Sequence, residues 1–553
     1  MKIKNAITDL NIPTSEGGFY AGFNQFVTLG AKLLVILLVI WAAMDPERAG
    51  SLLSALQNWS FANLGAWYIY VMGFFVLVCL FLAIMPGIGK TKLGKADDAP
   101  EFSYFSWVSM MFGAGIGIGM MTYATAEPLY HFANNPDTIL GLTTASAADN
   151  VVPSMKWAFF HWGLSAWGCY AIIGVSLAFF SYNRGLPLTI RSALTPLFGR
   201  ALEGPLGHIV DIAAVLATVL GVAVTVGFGV SQYASGIYEV FGFEWLINAD
   251  KSPSTAGMLF ALTIVMVLSI FSALSGVGKG IKWLSNINMG LSGALLLFFL
   301  IFGATAFALD SLFSGMFEYL AFVPQQLFTY WSPGDTDPAK GLYSWQSGWW
   351  TVFIWAWWIA FAPFVGLFLA RISKGRTIRE FILGAMIVPT LVSFIWFAFL
   401  GGTAIDLELN GAAAGAISGA GQEAQLFMTL KLMVSEAVYP IMTLLILVLL
   451  TTFLVTSADS AILCVNTINS VGVMPNKSKS HIIIWGVMFT AVIAVLMVAG
   501  GLGAIKSAMI VAAVPFSVIM ALMAISLIKA LIRDRLREKA NETEASVSSE
   551  PTI

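Results

Sequence analysis

Long apolar stretches separated by short polar connections run along almost the whole chain. A window of about 18 or more apolar residues is long enough to cross the hydrocarbon core of a bilayer as an α-helix. Predicted spans lie at residues 26–44, 65–85, 104–126, 155–181, 209–238, 258–275, 289–309, 349–370, 380–400, 438–463, 482–500 and 505–529. The pattern therefore predicts an all-α integral membrane protein with about twelve transmembrane helices.

Two longer connections, at residues 310–348 and 401–437, break the regular pattern of spans. Between the seventh and eighth spans, apolar side chains at helical spacing precede a polar loop, which is typical of an amphipathic helix lying in the membrane interface. The end of the chain is polar enough to be predicted as disordered after Lys539. Counted along the chain, the segments are an N-terminus, spans one and two with a linker, spans three to seven, the interfacial helix with its loop, spans eight to twelve, and a tail, at residues 1–25, 26–103, 104–309, 310–348, 349–530 and 531–553.

Composition and charge agree with a membrane location. The 553 residues are 58% hydrophobic and 10% charged, with a mean hydropathy of +0.83, whereas soluble domains carry about 25% charged residues. Lys and Arg cluster in alternate connections and in the tail, so the positive-inside rule places those connections and both termini in the cytoplasm. We therefore predict a multi-pass protein of a bacterial-type cytoplasmic membrane. The net charge of −2, with no pooled basic patch, argues against a nucleic-acid partner.

Four glycines alternate within the third span, in the stretch 111–120. At about 0.8–1 kcal/mol each, they cost about 3–4 kcal/mol of helix propensity together; they are Gly113, Gly115, Gly117 and Gly119. In a membrane, unwound backbone is tolerated only where it is buried in protein or lines a cavity, and interrupted helices near the midplane typically mark the binding site of a transporter. We therefore predict that the glycines interrupt this span beside a ligand site.

Aromatic residues crowd two further spans. In the fourth span, Trp162, Trp167 and Tyr170 share an arc of about 140° on a helix, and in the eighth span Trp358, Phe361 and Phe364 recur every three residues. Aromatic faces of this kind attract a ligand cation such as a quaternary ammonium group, at about 2 kcal/mol or more per desolvated contact. The alternative is anchoring at the membrane interface, which is the more common role of any single Trp. The tryptophans fall well inside their predicted spans, which weakens that alternative.

Adjacent hydroxyl groups and a carboxylate lie deep in the tenth span. Ser and Thr in membrane helices most often bond back to the preceding turn, but the segment 456–460 is denser in polar groups than packing requires. Hydroxyl oxygens of Thr456 and Ser457, with carbonyls freed by the glycine interruption, would suit a hard cation such as sodium. Asp459 is a functional candidate because a buried ionisable group in a membrane is costly; a structural role at the cytoplasmic end of the span is the alternative.

These segments together resemble the betaine/carnitine/choline transporter family over almost the whole chain. The matching segments are PEFSYFSW at 100–107, AEP at 126–128, WAWW at 355–358, FLARISKGRTIRE at 368–380 and TSADS at 456–460. The resemblance implies a LeuT-type core of two inverted five-helix repeats, formed by the third to seventh and eighth to twelfth spans and preceded by two extra helices. It also implies a homotrimer to which the interfacial helix contributes contacts.

The resemblance further implies roles for individual residues. The aromatic box for the methylated cation carries over onto Trp162, Trp167, Tyr170 and Trp358, with Phe361 and Ile116 beside it. A sodium site carries over onto the carbonyls of Ala114, Ile116 and Phe453 and the hydroxyls of Thr456 and Ser457, and a second cation position onto Thr218 and Phe364. The glycines of the third span and Asp459 take gating or structural roles. No cofactor besides the coupling ion is implied.

Three departures from the family pattern bear on substrate and coupling. Val222 stands where the betaine carriers have a second Thr, one turn from Thr218. The side chain of Val222 has no oxygen that could bind a second sodium. Phe361 replaces a Trp, and Ile116 replaces a Met, so a smaller or differently shaped substrate would fit. Gly119 is kept where proton-driven choline carriers tend to have Asp, which favours sodium coupling.

The sequence therefore predicts sodium-coupled import of a small methylated onium compound, such as a betaine, choline, a methylamine or a sulfonium analogue. Exchange of a substrate against sodium or a related amine is one alternative, motivated by the incomplete second site. A non-transporting osmosensor or receptor on the same fold is another. An enzyme is not expected, because the four His residues are scattered and no nucleophile–base pair or metal spacing is visible.

Overall fold

A computed structural model describes residues 5–115, 117–275, 282–473 and 479–548. Within these residues the long elements are all helices: α1 Gln25–Met44, α2 Pro46–Ile84, α3 Tyr104–Gly115, α4 Gly117–Ala133, α5 Val151–Trp162, α6 Leu164–Ala178, α7 Pro205–Phe241, α8 Thr255–Ser275, α9 Lys282–Phe302, α10 Thr305–Gln326, α11 Thr351–Ile372, α12 Ile378–Leu409, α13 Tyr439–Asn469 and α14 Lys479–Ser548. Shorter α-helices lie at Pro86–Gly89, Pro136–Ile139, Thr195–Phe198, Asp337–Tyr343 and Gln425–Met433. Extended pairing in the described part of the chain is limited to isolated bridges.

Eleven of the described helical stretches are long and apolar enough to cross a membrane. The set joins the last two predicted spans in α14, although Gly500 and Gly501 have non-helical backbone and divide that helix. It also includes α10, predicted as interfacial, and it leaves out the third predicted span, which is described as α3 and α4 on either side of Ile116. The all-α fold with about twelve apolar helices is confirmed.

Several helix ends follow from local capping. The side chain of Asn24 accepts from the amide of Val27 at 2.9 Å and begins α1. Asp45 accepts from the amide of Arg48 at 3.1 Å, and Pro46 occupies the first position of α2, where its missing N–H costs nothing. This cap explains why the second helix begins nineteen residues before the predicted span at 65–85 and runs on for 39 residues.

Two predicted spans are divided or shortened by glycine. The fourth span is not one helix, because Gly163 has non-helical backbone between α5 and α6. The freed amide of Leu164 donates to the hydroxyl of Tyr319 on α10 at 3.0 Å, so α10 is tied to this break. The seventh span ends at Phe302 instead of residue 309, and α10 begins just after Gly303. The tail prediction is wrong up to Ser548, because α14 continues to that residue.

The centre of the bundle is built from helices that are buried on nearly every side. Every described residue of α5 except one is buried, and α6 and α11 are similarly enclosed. Because a soluble helix would expose one face, burial all round indicates that α5, α6 and α11 lie at the core of the bundle, with other apolar helices around them. The four residues that the sequence assigns to the aromatic box lie on these three helices.

Candidate functional site

The predicted aromatic residues meet in one buried cluster formed by α5, α6 and α11. The rings of Trp162 and Trp358 meet edge to face with centroids 4.9 Å apart. Tyr170 lies 6.0 Å from Trp358 and 5.7 Å from Trp167. Each of these four side chains is at most 1% exposed. The structure therefore brings the four box residues together well inside the protein, away from any position where a Trp would act as an interfacial anchor.

Two polar atoms in this cluster have no hydrogen-bond partner among the described residues. They are the indole Nε1 of Trp167 and the hydroxyl of Tyr170. Buried polar groups in folded proteins are nearly always paired, and an unpaired one costs about 1–3 kcal/mol. Two unpaired donors in an aromatic cluster are therefore a reason to expect a polar group of a ligand there.

The break at Gly163 positions the central tryptophan. Carbonyl groups at the end of a helix lack an intrahelical partner, and the indole Nε1 of Trp358 donates to one of them, that of His161, at 3.0 Å. Trp357 stacks on Trp358 with centroids 5.0 Å apart and an interplanar angle of 13°. Its own indole donates to the hydroxyl of Thr225 on α7 at 3.1 Å. The two adjacent indoles are thus held in place by the hydrogen bonds that they donate to α5 and α7.

Phe361 and Phe364 continue the aromatic row along α11. Phe361 lies 6.4 Å from Tyr170 and 5.1 Å from Phe364 between ring centroids. Thr218, predicted with Phe364 to form a second cation position, donates its hydroxyl to the carbonyl of Ala214 at 2.8 Å. That is the local back-bond of a Ser or Thr in a membrane helix. Val222 one turn on is fully buried and apolar.

The glycines of the third span are needed for close packing. A Cβ on Gly117 would lie 2.1 Å from Cδ1 of Phe453, and a Cβ on Gly119 would lie 2.8 Å from Cη2 of Trp162. Both glycines are helical within α4, and Gly113 and Gly115 are helical within α3. The prediction that the glycines themselves are unwound is therefore wrong. Ile116 and the roles predicted for it lie outside the described residues.

The predicted sodium ligands on α13 lie close to this glycine contact. Phe453 packs against Gly117. The hydroxyl of Thr456 donates back to the carbonyls of Thr452 at 2.9 Å and of Phe453 at 3.1 Å. Thr456 also accepts from the side-chain amide of Asn288 on α9 at 3.2 Å. Ser457 is 8% exposed. Ala114 lies in α3, near the end of that helix.

Asp459 lies one turn further along α13. Its carboxyl group is fully buried and accepts from the hydroxyls of Ser272 on α8 and of Ser460, the latter at 3.0 Å. These bonds tie α13 to α8. The surroundings suit a structural role, which was one of the two alternatives left by the sequence.

Sequence reasoning missed the group that holds Trp162. The carboxyl group of Glu127 on α4 accepts from Nε1 of Trp162 at 2.6 Å and also contacts Nδ1 of His161 at 2.6 Å and Nε2 of His131 at 3.2 Å. All four side chains are fully buried. The other ring nitrogen of His161 lies 3.0 Å from the hydroxyl of Thr351. The available signal was a carboxylate and an imidazole four residues apart directly after the third predicted span, since such groups are costly near a membrane core.

A bundle of apolar helices that are long enough to cross a membrane defines a multi-pass membrane protein. A buried aromatic cluster at the centre of such a bundle is typical of a small-molecule site between helices. The model of the betaine/carnitine/choline family of transporters (BCCT) matches residues 26–536. The chain belongs to this family. It is a transporter and not an enzyme.

Individual relatives resemble the chain over most of its length. It is 38% identical over 507 residues to the glycine betaine transporter OpuD of Bacillus subtilis (strain 168), covering 91% of this chain and 94% of that protein. It is 35% identical over 541 residues to a glycine betaine transporter of Acinetobacter baylyi, covering 96% of this chain and 76% of that protein. A solved Na+-coupled sialic acid symporter in a substrate-bound outward-open state is 12% identical, with a TM-score of 0.46, over 83% of this chain and 86% of that one.

Proposed function

We propose that this protein imports a small methylated onium compound of the betaine type, coupled to sodium, by alternating access. The observation that carries the proposal is the buried aromatic cluster around Trp358. Relatives named as glycine betaine transporters support a substrate of the same type.

The cation of such a substrate suits the ring faces of Trp162 and Trp358. A trimethylammonium group has no N–H to donate, so hydrogen-bond acceptors do not recognise it, whereas aromatic faces attract it at about 2 kcal/mol or more per desolvated contact. Two such faces together supply about 4 kcal/mol, or nearly a thousandfold in affinity. We assign Tyr170 and Trp167 to the same box, with Phe361 and Ile116 at its border.

The unpaired donors of the cluster suit the other end of a betaine. Nε1 of Trp167 and the hydroxyl of Tyr170 have no partner among the described residues. A carboxylate accepts from both kinds of donor, and hydrogen bonds to charged acceptors are worth about 1.5–3 kcal/mol. A zwitterion with its cation and carboxylate a few bonds apart would satisfy both the rings and the donors.

Sodium is assigned to the junction between the glycine run and α13. The hydroxyls of Thr456 and Ser457 and the carbonyls of Phe453, Ala114 and Ile116 are the proposed ligands. The contact between Gly117 and the ring of Phe453 supports this assignment, because it holds α4 against α13. Bound sodium would strengthen that contact and so preorganise α4, which carries Gly119 against Trp162. A second cation at Thr218 and Phe364 stays a prediction.

The first test is binding of methylated ammonium and sulfonium compounds to purified protein, followed by tryptophan fluorescence with and without sodium. Sodium-dependent binding of glycine betaine is the expected result. Binding that does not change with sodium contradicts the coupling, and no binding of any onium compound contradicts the box assignment.

The second test is uptake by the variant Trp358→Ala in proteoliposomes. We expect loss of uptake while the protein remains folded. Trp485→Ala is the control, because Trp485 is equally buried but lies on α14 outside the aromatic cluster. Normal uptake by the first variant, or equal loss in both, would contradict the assignment.

Uptake into vesicles that are loaded with or without substrate and sodium distinguishes symport from exchange and from a non-transporting receptor. Symport requires only an inward sodium gradient, exchange requires substrate inside the vesicle, and a receptor gives binding without uptake. The proposal also includes a homotrimer in a bacterial cytoplasmic membrane, with both termini in the cytoplasm. Light scattering of the purified protein tests the oligomeric state. Labelling of cysteines introduced at the termini tests their location.

A further inference from the structure

A lysine on α14 lies among aromatic rings near the ligand site. Nζ of Lys506 is 4.9 Å from the ring centroid of Phe228 on α7 and 5.0 Å from that of Phe353 on α11. No described Asp or Glu carboxylate forms an ion pair with it. Its side chain is partly exposed. The two rings position this ammonium group, and no carboxylate neutralises its positive charge. The charge can therefore attract the carboxylate of a ligand.

The two rings lead directly to the aromatic cluster. The centroid of Phe228 lies 5.3 Å from that of Trp357, and Phe353 stacks on Trp357 at 6.0 Å. Trp357 in turn stacks on Trp358 at 5.0 Å. A continuous path of rings therefore joins the ammonium group to the centre of the proposed substrate box.

The path lies at one particular end of the bundle. Phe353 is in the first turn of α11, whereas Arg371 is in its last turn, with the other basic residues of that connection just beyond. By the positive-inside rule, the end that carries Arg371 is cytoplasmic. Lys506 thus lies at the opposite end, from which an imported substrate approaches.

We propose that Lys506 selects zwitterionic betaines against uncarboxylated cations such as choline, by placing a fixed positive charge on the approach to the box. This inference rests on the proposed function. A positive charge repels the onium centre of every substrate, and only a carboxylate on the same molecule offsets that repulsion. A betaine therefore approaches with its cation towards Trp358 and its carboxylate towards Lys506, whereas choline gains no compensating attraction. Partial exposure of Lys506 keeps this effect modest, because water screens it.

A structural role makes a different prediction. If the lysine stem only covers the two rings, its replacement changes stability and leaves the preference between substrates unaltered. The ratio of two KM values in one variant separates the roles, because a general loss of packing affects both substrates alike.

The test is uptake of radiolabelled glycine betaine and of choline by wild type, Lys506→Met and Lys506→Arg in proteoliposomes. Lys431→Met is the matched control, because Nζ of Lys431 also lies over a ring, 5.8 Å from the centroid of Tyr439, away from the path of rings described above. We expect the KM for choline in wild type to exceed that for glycine betaine at least tenfold. Lys506→Met should narrow this ratio about tenfold, whereas Lys506→Arg and Lys431→Met should keep it.

Two results would overturn the inference while leaving the proposed function intact. One is equally efficient uptake of choline and of glycine betaine by the wild-type protein. This measurement does not depend on whether any variant folds. The other is an unchanged ratio in Lys506→Met. Wild-type protein that takes up neither compound under a sodium gradient would instead overturn the proposed function, and the inference with it.

Discussion

The carboxyl group of Glu127 gives the sharpest prediction, because it supports the box without belonging to it. Replacement by Ala removes the acceptor of the Trp162 indole and the partner of His161, each 2.6 Å away, and also the partner of His131 at 3.2 Å. All three partners are fully buried, so water does not replace the lost bonds. At about 1–3 kcal/mol for each buried group left unpaired, the change costs about 3–9 kcal/mol.

This cost is expected in two measurements. Part of it lowers the thermal unfolding midpoint of the purified protein, and part of it appears as weaker binding, because an indole without its hydrogen bond no longer holds one face of the box. We expect the Kd of glycine betaine to rise at least tenfold, which is about 1.4 kcal/mol. Thermal unfolding and tryptophan fluorescence titration of the same sample give both numbers.

Two variants control for other effects. In Glu127→Gln, the amide oxygen still accepts from Trp162, and the amide N–H donates to Nδ1 of His161 when that nitrogen is unprotonated, so an intermediate loss is expected. Glu239→Ala removes a partly exposed carboxyl group that accepts from Tyr439 at 2.7 Å, and we expect about 1 kcal/mol or less. Wild-type stability and affinity in Glu127→Ala would refute the reasoning.

Further predictions concern the glycine contact, the sodium ligands and the unpaired hydroxyl. Gly117→Ala should prevent α4 from packing on α13, since its Cβ would lie 2.1 Å from the ring of Phe453, and uptake should be lost. Gly293→Ala, with nothing within 4 Å, should instead raise the unfolding midpoint slightly through about 0.5–1 kcal/mol of helix propensity; equal effects of the two variants, measured by uptake and unfolding, contradict the packing argument. Thr456→Val should raise the sodium concentration needed for half-maximal uptake tenfold or more, and an unchanged sodium dependence argues against the site. Tyr170→Phe should weaken glycine betaine binding by about 1.5–3 kcal/mol but leave choline binding nearly unchanged; equal losses for both in fluorescence titrations would count against a carboxylate partner.

The sequence predicts the apolar helices well, because span length and hydropathy identify α1 and α7 directly. It also names the residues of the aromatic cluster, but the predicted arc on a single helix is wrong, because the break at Gly163 puts Trp162 on α5 and Trp167 and Tyr170 on α6. Close packing is different, since it depends on which helices meet. Nothing in the local pattern states that Gly117 faces Phe453, so the glycines suggest unwinding where the structure shows close contact.

Partners distant in the chain were also out of reach. Glu127 and Trp162 are 35 residues apart, and Lys506 lies more than a hundred residues from Phe353. The break at Gly163 was missed for a related reason: a single glycine in a span is usually tolerated, and here a hydroxyl from α10 satisfies the freed amide. The local signal that could have directed attention to Glu127 was its spacing of four residues from His131, directly after the third predicted span.

In the proposed cycle, α4 is the element through which sodium and substrate affect each other. Its first residue, Gly117, contacts Phe453 of the proposed sodium site, and Gly119 contacts Trp162 of the proposed box. The same helix carries Glu127, which bonds to Trp162. Either ligand therefore stabilises one position of the same helix, and binding of the first ligand lowers the free energy needed to order that helix for the second. Because such coupling is reciprocal, the factor by which sodium raises the affinity for glycine betaine must equal the factor by which glycine betaine raises the affinity for sodium.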